Sequence, residues 1–383
     1  MEDVLIFADT RRSPELRREL PIGVGDPFLY AEAGGVRHVV IARMEIPRLA
    51  GAAPGVVCHA LDELGGDELR AQGLRHHEVL ERVAVRFCRE QGIGRALVPA
   101  TFPVRMADVL RDAGIEVEPR QSFFGDRRRA KTPAQVEGIR RAQRAAEAGM
   151  AAVAGLIARA EPREDGVVVD GAPLTSERLR HALLVTFLEH GAIAGEAITS
   201  HGPQAAVGHE SGSGVILPGE PVVVDIWPQD PRTACHTDMT RTFVAGEPPA
   251  ELAEYQRVVS EARDAAIAEV RPGADARAVY AAAAGVIERA GYPTLRTKEP
   301  GQPLDHGFNH LLGHGVGLEV HEAPILGPAP DELVAGDVIA IEPGVYRQGF
   351  GGCRLEDVLV VTDTGAEVLT SFPYDLVPTA AAD

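Results

Sequence analysis

Apolar residues in the first third of the chain alternate between the spacing of strands and the spacing of helices. Short apolar runs typical of strands lie at Val36–Ala42, Arg95–Ala100 and Ile115–Pro119. Segments whose apolar residues recur every three or four positions lie at Asp67–Gln91 and Val104–Ala113. This alternation predicts a small N-terminal α/β domain over residues 1–125, with a parallel or mixed sheet.

A long alanine-rich segment follows, and it has the features of a helix start. Thr132 is a candidate N-cap, Pro133 suits the first turn, and Gln135 can complete a capping box. The helix is predicted to run to about Ala160. Further helices are predicted at Glu177–His190, Pro249–Val270 and Asp275–Ala290. The rest of residues 126–383 is rich in strand patterns, and the basic run at 127–131 is interpreted as a solvated linker between two domains.

Length and charge limit the classes of function. With 383 residues, the chain exceeds the roughly 250–300 residues at which single cores stop growing, so two domains are expected. A net charge of −18 argues against nucleic acid or an anionic membrane surface as the partner. The first residues lack a signal-peptide pattern, and four scattered cysteines suit free thiols, so a cytoplasmic location is expected.

The chemistry of the chain is concentrated in its C-terminal part. His314 and His321 lie in a stretch with glycines at 313, 315 and 317, a pattern that suits close backbone approach rather than a helix interior. Four acids stand at the ends of apolar, strand-like runs: Asp225, Asp238, Glu342 and Glu356. One such acid would be an ordinary surface feature, whereas four beside a glycine-flanked histidine indicate a metal site.

These segments resemble the active site of the pita-bread metallopeptidases, which include aminopeptidase P, prolidase, methionine aminopeptidase and the metal-free relative creatinase. The resemblance implies an α+β fold, with a pita-bread catalytic domain over residues 126–383 and a smaller N-terminal α/β domain over 1–125. It also implies a homodimer. The five ligands that the resemblance assigns to two divalent metal ions are Asp225, Asp238, His314, Glu342 and Glu356.

Four carboxylates and one imidazole favour manganese first, with cobalt, zinc or iron as alternatives. Two divalent ions also balance the charge of four carboxylates, and such a pair can hold a bridging hydroxide that attacks a peptide bond. The resemblance gives Glu342 a second role as the base that takes the proton of the water. It implies that His321 stabilises the oxyanion, that His209 and His310 hold the substrate, and that Arg354 supports the site.

The activity expected from this resemblance is hydrolysis of the Xaa-Pro bond in short proline-containing peptides, by an aminopeptidase or a dipeptidase. Two alternatives are a hydrolase of another C–N bond, in an amidine or a cyclic amide, and a pita-bread binding module without catalysis. One position departs from the family pattern. Trp227 stands where a small residue is usual, and Asp225 and Asp238 are thirteen positions apart, which predicts a longer connection and a different substrate pocket.

Overall fold

The computed structural model describes residues 2–379. The chain forms two compact units, of which the first ends at Arg128 and the second begins at Arg129. Both units combine helices and strands in an α+β architecture. No helix in the described part of the chain is both long and apolar enough to cross a membrane.

The first unit is built on a six-stranded mixed sheet in the order β4-β3-β2-β1-β5-β6. Its strands are β1 (Val4–Ala8), β2 (Phe28–Ala33), β3 (Val36–Ile41), β4 (Val56–Ala60), β5 (Arg95–Val98) and β6 (Glu116–Pro119). Its helices are α1 (Pro14–Glu19), α2 (Ile46–Ala52), α3 (Gly66–Ala71), α4 (His76–Glu90), α5 (Val104–Asp112) and α6 (Gln121–Arg129). Strands β1, β2 and β3 pair antiparallel, while β4, β5 and β6 join the sheet in parallel.

The single helix predicted over Asp67–Gln91 is wrong. The structure has two helices there, α3 and α4, because Gly73 adopts a left-handed conformation with φ of +85°. The amide of Gly73 donates to the carbonyl of Arg70 at 2.9 Å and closes the end of α3. Glycine adopts this conformation without steric cost and commonly ends a helix. The apolar period continues across the break, which is why the sequence pattern does not reveal it.

Within residues 129–379, the second unit holds sixteen short strands in several small sheets and four long helices. The strands are β7 (Glu161–Arg163), β8 (Gly166–Val169), β9 (Ala172–Pro173), β10 (Ile198–His201), β11 (Pro221–Ile226), β12 (Gln229–Asp230), β13 (Cys235–His236), β14 (Met239–Val244), β15 (His306–Gly307), β16 (Gly313–Gly315), β17 (Glu322–Leu326), β18 (Val338–Ile341), β19 (Gly344–Arg347), β20 (Gly351–Arg354), β21 (Asp357–Val361) and β22 (Ala366–Val368). The helices are α7 (Pro133–Ala158), α8 (Ser176–Glu189), α9 (Ala250–Glu269) and α10 (Ala276–Arg289).

Two sheets position most of the candidate site residues, and their strand orders are β10-β11-β14 and β17-β16-β18-β21-β22. Residues of α7 and α8 pack with the first sheet in one core, and residues of α9 and α10 pack with the second in another. Helix α7 starts as predicted, since Thr132 and Gln135 form a capping box. All four cysteines are free, and Cys235 and Cys353 are buried in apolar clusters, as expected of packing residues.

The basic run at 127–131 is not the solvated linker that the sequence predicted. Arg129 is only 9% exposed and donates to Asp331 at 2.7 Å and to Asp337 at 2.6 Å. Lys131 is equally buried, with its Nζ 2.6 Å from Oε1 of Glu322. The charges of Arg129 and Lys131 are thus each compensated by a carboxylate of the same unit, as buried charges require.

Breaking the buried pair of Lys131 and Glu322 is expected to destabilise the second unit. Both side chains are 2% exposed, so Lys131→Met would leave a carboxylate buried without its counter-charge. The expected loss in the free energy of unfolding is about 3–5 kcal/mol. Urea unfolding followed by the emission of Trp227, the single tryptophan of the chain, reports on this unit.

Arg140→Met is the matched control, because its pair with Glu367 is exposed and should contribute only about 0–1 kcal/mol. Equal losses in both variants would contradict the prediction.

Candidate metal centre

Asp225 is placed by the alternation of side chains along β11. Val222, Val224 and Ile226 are buried and pack in the core below the sheet. Successive side chains of a strand point to opposite faces, so Asp225 points away from that core. It pairs with Thr240 of the neighbouring strand β14.

Asp238 lies directly before β14 and is 4% exposed. One of its carboxylate oxygens, Oδ1, accepts a hydrogen bond from the amide of Met239 at 3.0 Å. This bond fixes the carboxylate at the start of the strand and leaves Oδ2 to face the neighbouring sheet, where it lies 3.7 Å from Nε2 of His314.

His314 is held on β16 between two glycines that the strand pairing requires. A Cβ atom at Gly313 would lie 1.9 Å from the carbonyl oxygen of Ala340, and one at Gly315 would lie 2.2 Å from that of Ala323. Neither distance is compatible with a side chain. The alternating glycines therefore let the flanking backbones of β17 and β18 approach closely and leave His314 as the side chain that faces the site.

Glu342 and Glu356 are fixed through their backbones at the ends of strands. The amide of Glu342 donates to the carbonyl of Leu312 at 2.8 Å, and the amide of Glu356 donates to that of Thr240 at 3.1 Å. Oε2 of Glu356 also accepts a hydrogen bond from the hydroxyl of Thr240 at 2.7 Å. Each glutamate thus enters the site from a paired segment rather than from a free loop.

The structure brings all five candidate ligands to one cavity of about 720 Å³. One ligand atom from each of Asp238, His314 and Glu356 lies within 4.8 Å of the other two. Nε2 of His314 is also 3.6 Å from Oε1 of Glu342. Asp225 joins the group through Arg354, whose guanidinium contacts its carboxylate.

The donor set fits divalent cations. Nδ1 of His314 donates to the carbonyl of Gly315 at 3.1 Å, so in the neutral ring this bond assigns Nε2 as an acceptor. When both carboxyls are ionised, Nε2 and the oxygens of Asp238 and Glu342 present only acceptors to a shared volume. A cation at the centre satisfies all of them, whereas a hydrophobic or anionic ligand satisfies none.

Burial and mutual repulsion shift the pKa values of these groups. Burial raises the pKa of Glu342 to about 8. Burial, followed by the repulsion of neighbouring carboxylates, holds the pKa values of Asp238 and Glu356 well above their usual range. Burial and then His321 lower the pKa of His314 to about 4, which leaves this imidazole neutral, the form that binds metals. Nearby positive charge counteracts both causes of the raised carboxyl pKa values.

Arg354 connects several parts of the site. Besides Asp225, its guanidinium donates from Nε to the hydroxyl of Thr240 at 3.2 Å and from Nη1 to the hydroxyl of Tyr346 at 3.3 Å. Its Nε is 3.9 Å from Oε2 of Glu342. Alternation predicted that Arg354 and Glu356 share a face; in the structure, the Thr240 hydroxyl contacts both side chains.

Tyr346 is a site residue that the sequence reasoning missed. It lines the cavity, and its hydroxyl is hydrogen-bonded to Nε2 of His310 at 3.0 Å. Burial raises the pKa of Tyr346 to about 12, which keeps the phenol protonated. The sequence held one sign of this role, because Tyr346 lies in the same segment as Glu342. It comes two residues after Gly344, and Gly344 pairs with Arg354 across the β19–β20 hairpin.

The three accessory histidines all line the cavity. Nδ1 of His310 donates to the carbonyl of Leu311 at 2.7 Å, and burial, followed by the charge of Arg354, lowers the pKa of His310 to about 3. The ring of His321 packs edge-on against that of His314, with centroids 4.2 Å apart. His209 is exposed on the loop after the 3₁₀ turn at Gly202–Ala206 and has a φ of +63°.

Solved structures of known proteins share this fold over nearly the whole chain. The Xaa-Pro dipeptidase from Bacillus anthracis has a TM-score of 0.79 at 23% identity, with 98% of this chain and 94% of that chain covered. The dipeptidase PepE from Mycobacterium ulcerans has a TM-score of 0.74 at 26% identity, with 98% and 92% covered. The expected α+β fold, with a pita-bread domain and a smaller N-terminal α/β part, is confirmed.

Sequence comparison shows the same relationship over a shorter segment. The probable dipeptidase PepE of Mycobacterium tuberculosis is 37% identical over 182 residues, which are 47% of this chain and 45% of that protein. The matched segment thus spans less than half the length of this relative. The model of metallopeptidase family M24 matches residues 137–363, a range that contains every candidate ligand and accessory histidine. The match covers more than half of the chain, which therefore belongs to metallopeptidase family M24.

Proposed function

We propose that this protein hydrolyses the peptide bond before proline in short peptides, with two divalent metal ions held by its five candidate ligands. The main support for this proposal is that ligand atoms of Asp238, His314 and Glu356 lie within 4.8 Å of one another. The carboxylates of Asp225 and Glu342 line the same cavity. Among M24 relatives, the Xaa-Pro dipeptidase of Pyrococcus horikoshii is 36% identical over 143 residues. That name supports the proposed substrate class.

The metals would supply one element of the chemistry. When bound, a pair of divalent ions lowers the pKa of a shared water enough to provide a nucleophile near neutral pH. Manganese suits the donor set first, with cobalt, zinc and iron as alternatives, because four of the five ligands are carboxylates.

The other elements come from the side chains of this chain. A carboxylate oxygen of Glu342 accepts the proton of the attacking water, a role that needs a base within hydrogen-bond reach of the water. An N–H group of His321 donates to the carbonyl oxygen as that oxygen gains negative charge. His209 and His310 hold the substrate on the side of the leaving nitrogen, and the proton that Glu342 has accepted passes to that nitrogen as the C–N bond breaks. Tyr346 and Arg354 orient His310 through their chain of hydrogen bonds.

The proposed catalytic domain covers residues 126–383, with residues 1–125 as a separate N-terminal domain. The family match at 137–363 and the division of the chain after Arg128 support these boundaries. The proposed protein is a homodimer, as the family resemblance implies, and the free cysteines suit a cytoplasmic location. Its net charge of −18 favours peptides over nucleic acid or membranes as partners.

Metal counting tests the proposed centre without relying on activity. Protein stripped with a chelator and then dialysed against Mn²⁺ is expected to retain about two ions per chain, measured by elemental analysis. Asp238→Asn and Glu356→Gln should each lower this number, because each removes a charged ligand. Asp363→Asn is the matched control, since Asp363 is exposed outside the cavity. Folded wild-type protein that retains no metal would contradict the proposal.

Substrate comparison then tests the reaction. The manganese-loaded protein should release proline from an Xaa-Pro dipeptide, or the first residue from an Xaa-Pro-Xaa tripeptide, and leave matched peptides without proline uncleaved. Turnover of the dipeptide alone would indicate a dipeptidase, and turnover of the tripeptide an aminopeptidase. If the metal-loaded enzyme cleaves no proline peptide but hydrolyses a cyclic amide or an amidine, the proposed substrate class is wrong. The proposed metal centre would be unaffected by that result.

A further inference from the structure

The outward face of β11 carries a bulky apolar wall beside the proposed metal centre. Val223, Asp225 and Trp227 alternate with the core residues Val222, Val224 and Ile226, and all three line the cavity. Ile198 of β10 pairs directly with Asp225 and lines the same cavity. Asp225 is therefore flanked by a valine on its own strand, by a tryptophan directly after the strand ends, and by an isoleucine across the sheet.

The position of Trp227 is fixed by the connection that follows it. Its carbonyl accepts a hydrogen bond from Nδ1 of His236 at 3.2 Å, and the carbonyl of Pro228 accepts one from the amide of Thr237 at 3.1 Å. The amide of His236 in turn donates to the carbonyl of Gly317 at 2.7 Å. The thirteen-residue spacing between the two aspartates thus builds the short β12–β13 hairpin, which anchors the backbone of the tryptophan.

The cavity is also lined by apolar side chains that are partly exposed to solvent. Val207, Leu311 and Ile325 line it and are 48%, 38% and 39% exposed. Ile325 pairs directly with His314 across β16 and β17. Solvent-exposed apolar side chains that converge on one cavity mark a ligand site, because a bound apolar group would remove them from water.

We propose that Trp227, Val223 and Ile198 form a subsite for a large apolar or aromatic side chain of the residue that precedes proline. This inference rests on the proposed function. In the proposed reaction the proline nitrogen leaves beside His310, which Leu311 directly follows. The apolar side chains around Leu311 therefore adjoin the proline, and the wall beside Asp225 is left for the preceding residue. The preferred substrates are then peptides such as Leu-Pro and Phe-Pro rather than Gly-Pro.

Kinetics on a series of Xaa-Pro peptides test the subsite. Wild-type kcat/KM is expected to be at least about tenfold higher for Leu-Pro and Phe-Pro than for Gly-Pro, since even one methylene in an apolar pocket discriminates about tenfold or more. Trp227→Ala should remove most of this preference by lowering kcat/KM for Leu-Pro and Phe-Pro, while its metal content stays near the wild-type value, because Trp227 is not among the candidate ligands. Trp227→Phe should retain the preference. Leu188→Ala, which removes an exposed leucine from α8, is the matched control and should change nothing.

The single tryptophan of the chain provides a second measurement that needs no turnover. L-leucine added to the metal-loaded protein should shift the emission of Trp227 to shorter wavelength, because the leucine side chain displaces water from the indole, whereas glycine should not. If L-leucine shifts the emission but the protein cleaves no proline peptide, the proposed function is wrong and the apolar subsite is still supported. Equal kcat/KM for Gly-Pro and Leu-Pro, or a preference that Trp227→Ala leaves intact, would overturn the subsite.

Discussion

Glu342→Gln is expected to lower kcat on an Xaa-Pro peptide by about 10²–10⁴-fold, the usual contribution of a general base. Glutamine keeps the size of the side chain and one carbonyl oxygen, but it cannot take a proton. Oε1 of Glu342 lies 3.6 Å from Nε2 of His314, so the carboxylate is beside the volume in which the proposed reaction releases a proton. Steady-state kinetics at saturating manganese, with bound metal counted in the same sample, measure the effect.

A matched variant separates this role from a general loss of acidic charge. Glu367→Gln removes a carboxylate that is 51% exposed and paired with Arg140 at the surface, and it should leave kcat unchanged. If Glu342→Gln holds as much metal as the wild type and turns over peptide equally fast, Glu342 does not act as the base.

The features that the sequence predicted best are those set by local spacing. The glycines around His314 indicate a close backbone approach. The structure shows that the carbonyls of Ala340 and Ala323 leave no room for a Cβ atom at these glycines. The acids at 225 and 342 end apolar runs because those runs are core strands, β11 and β18, whose ends open into the cavity. Each pattern involves residues that are only a few positions apart in the sequence, so it can be recognised before the fold is known.

The features that the sequence did not reveal depend on distant partners. Arg129 and Lys131 look like solvated charges because their carboxylate partners are about two hundred positions away, as Asp337 is from Arg129. Tyr346 shows its role only once β19 and β20 pair and bring Arg354 beside it. A run of like charges or a single tyrosine carries no local signal of such pairings, which are settled by tertiary structure.

Replacing His321 with alanine tests how the charge of the reaction is stabilised. The ring of His321 lies against that of His314, with centroids 4.2 Å apart, yet His321 is not among the proposed ligands. Burial, followed by the nearby His209, lowers its pKa, so the imidazole is neutral near pH 7 and carries one N–H group to donate. This donor is proposed to act on the carbonyl oxygen only as negative charge develops there.

Loss of one such donor typically costs about 10²–10³-fold in kcat, and His321→Ala is expected to show a loss of that size. Metal content should stay at the wild-type level, because the five ligands are untouched, and KM should change little, because the bond strengthens only in the transition state. His190→Ala removes an exposed histidine at the end of α8 and should behave as the wild type. A His321→Ala enzyme with wild-type kcat on its best peptide would show that the oxyanion is stabilised elsewhere. A parallel loss of metal would instead show that His321 supports the ligands, and in that case the variant would regain kcat when manganese is raised to saturation.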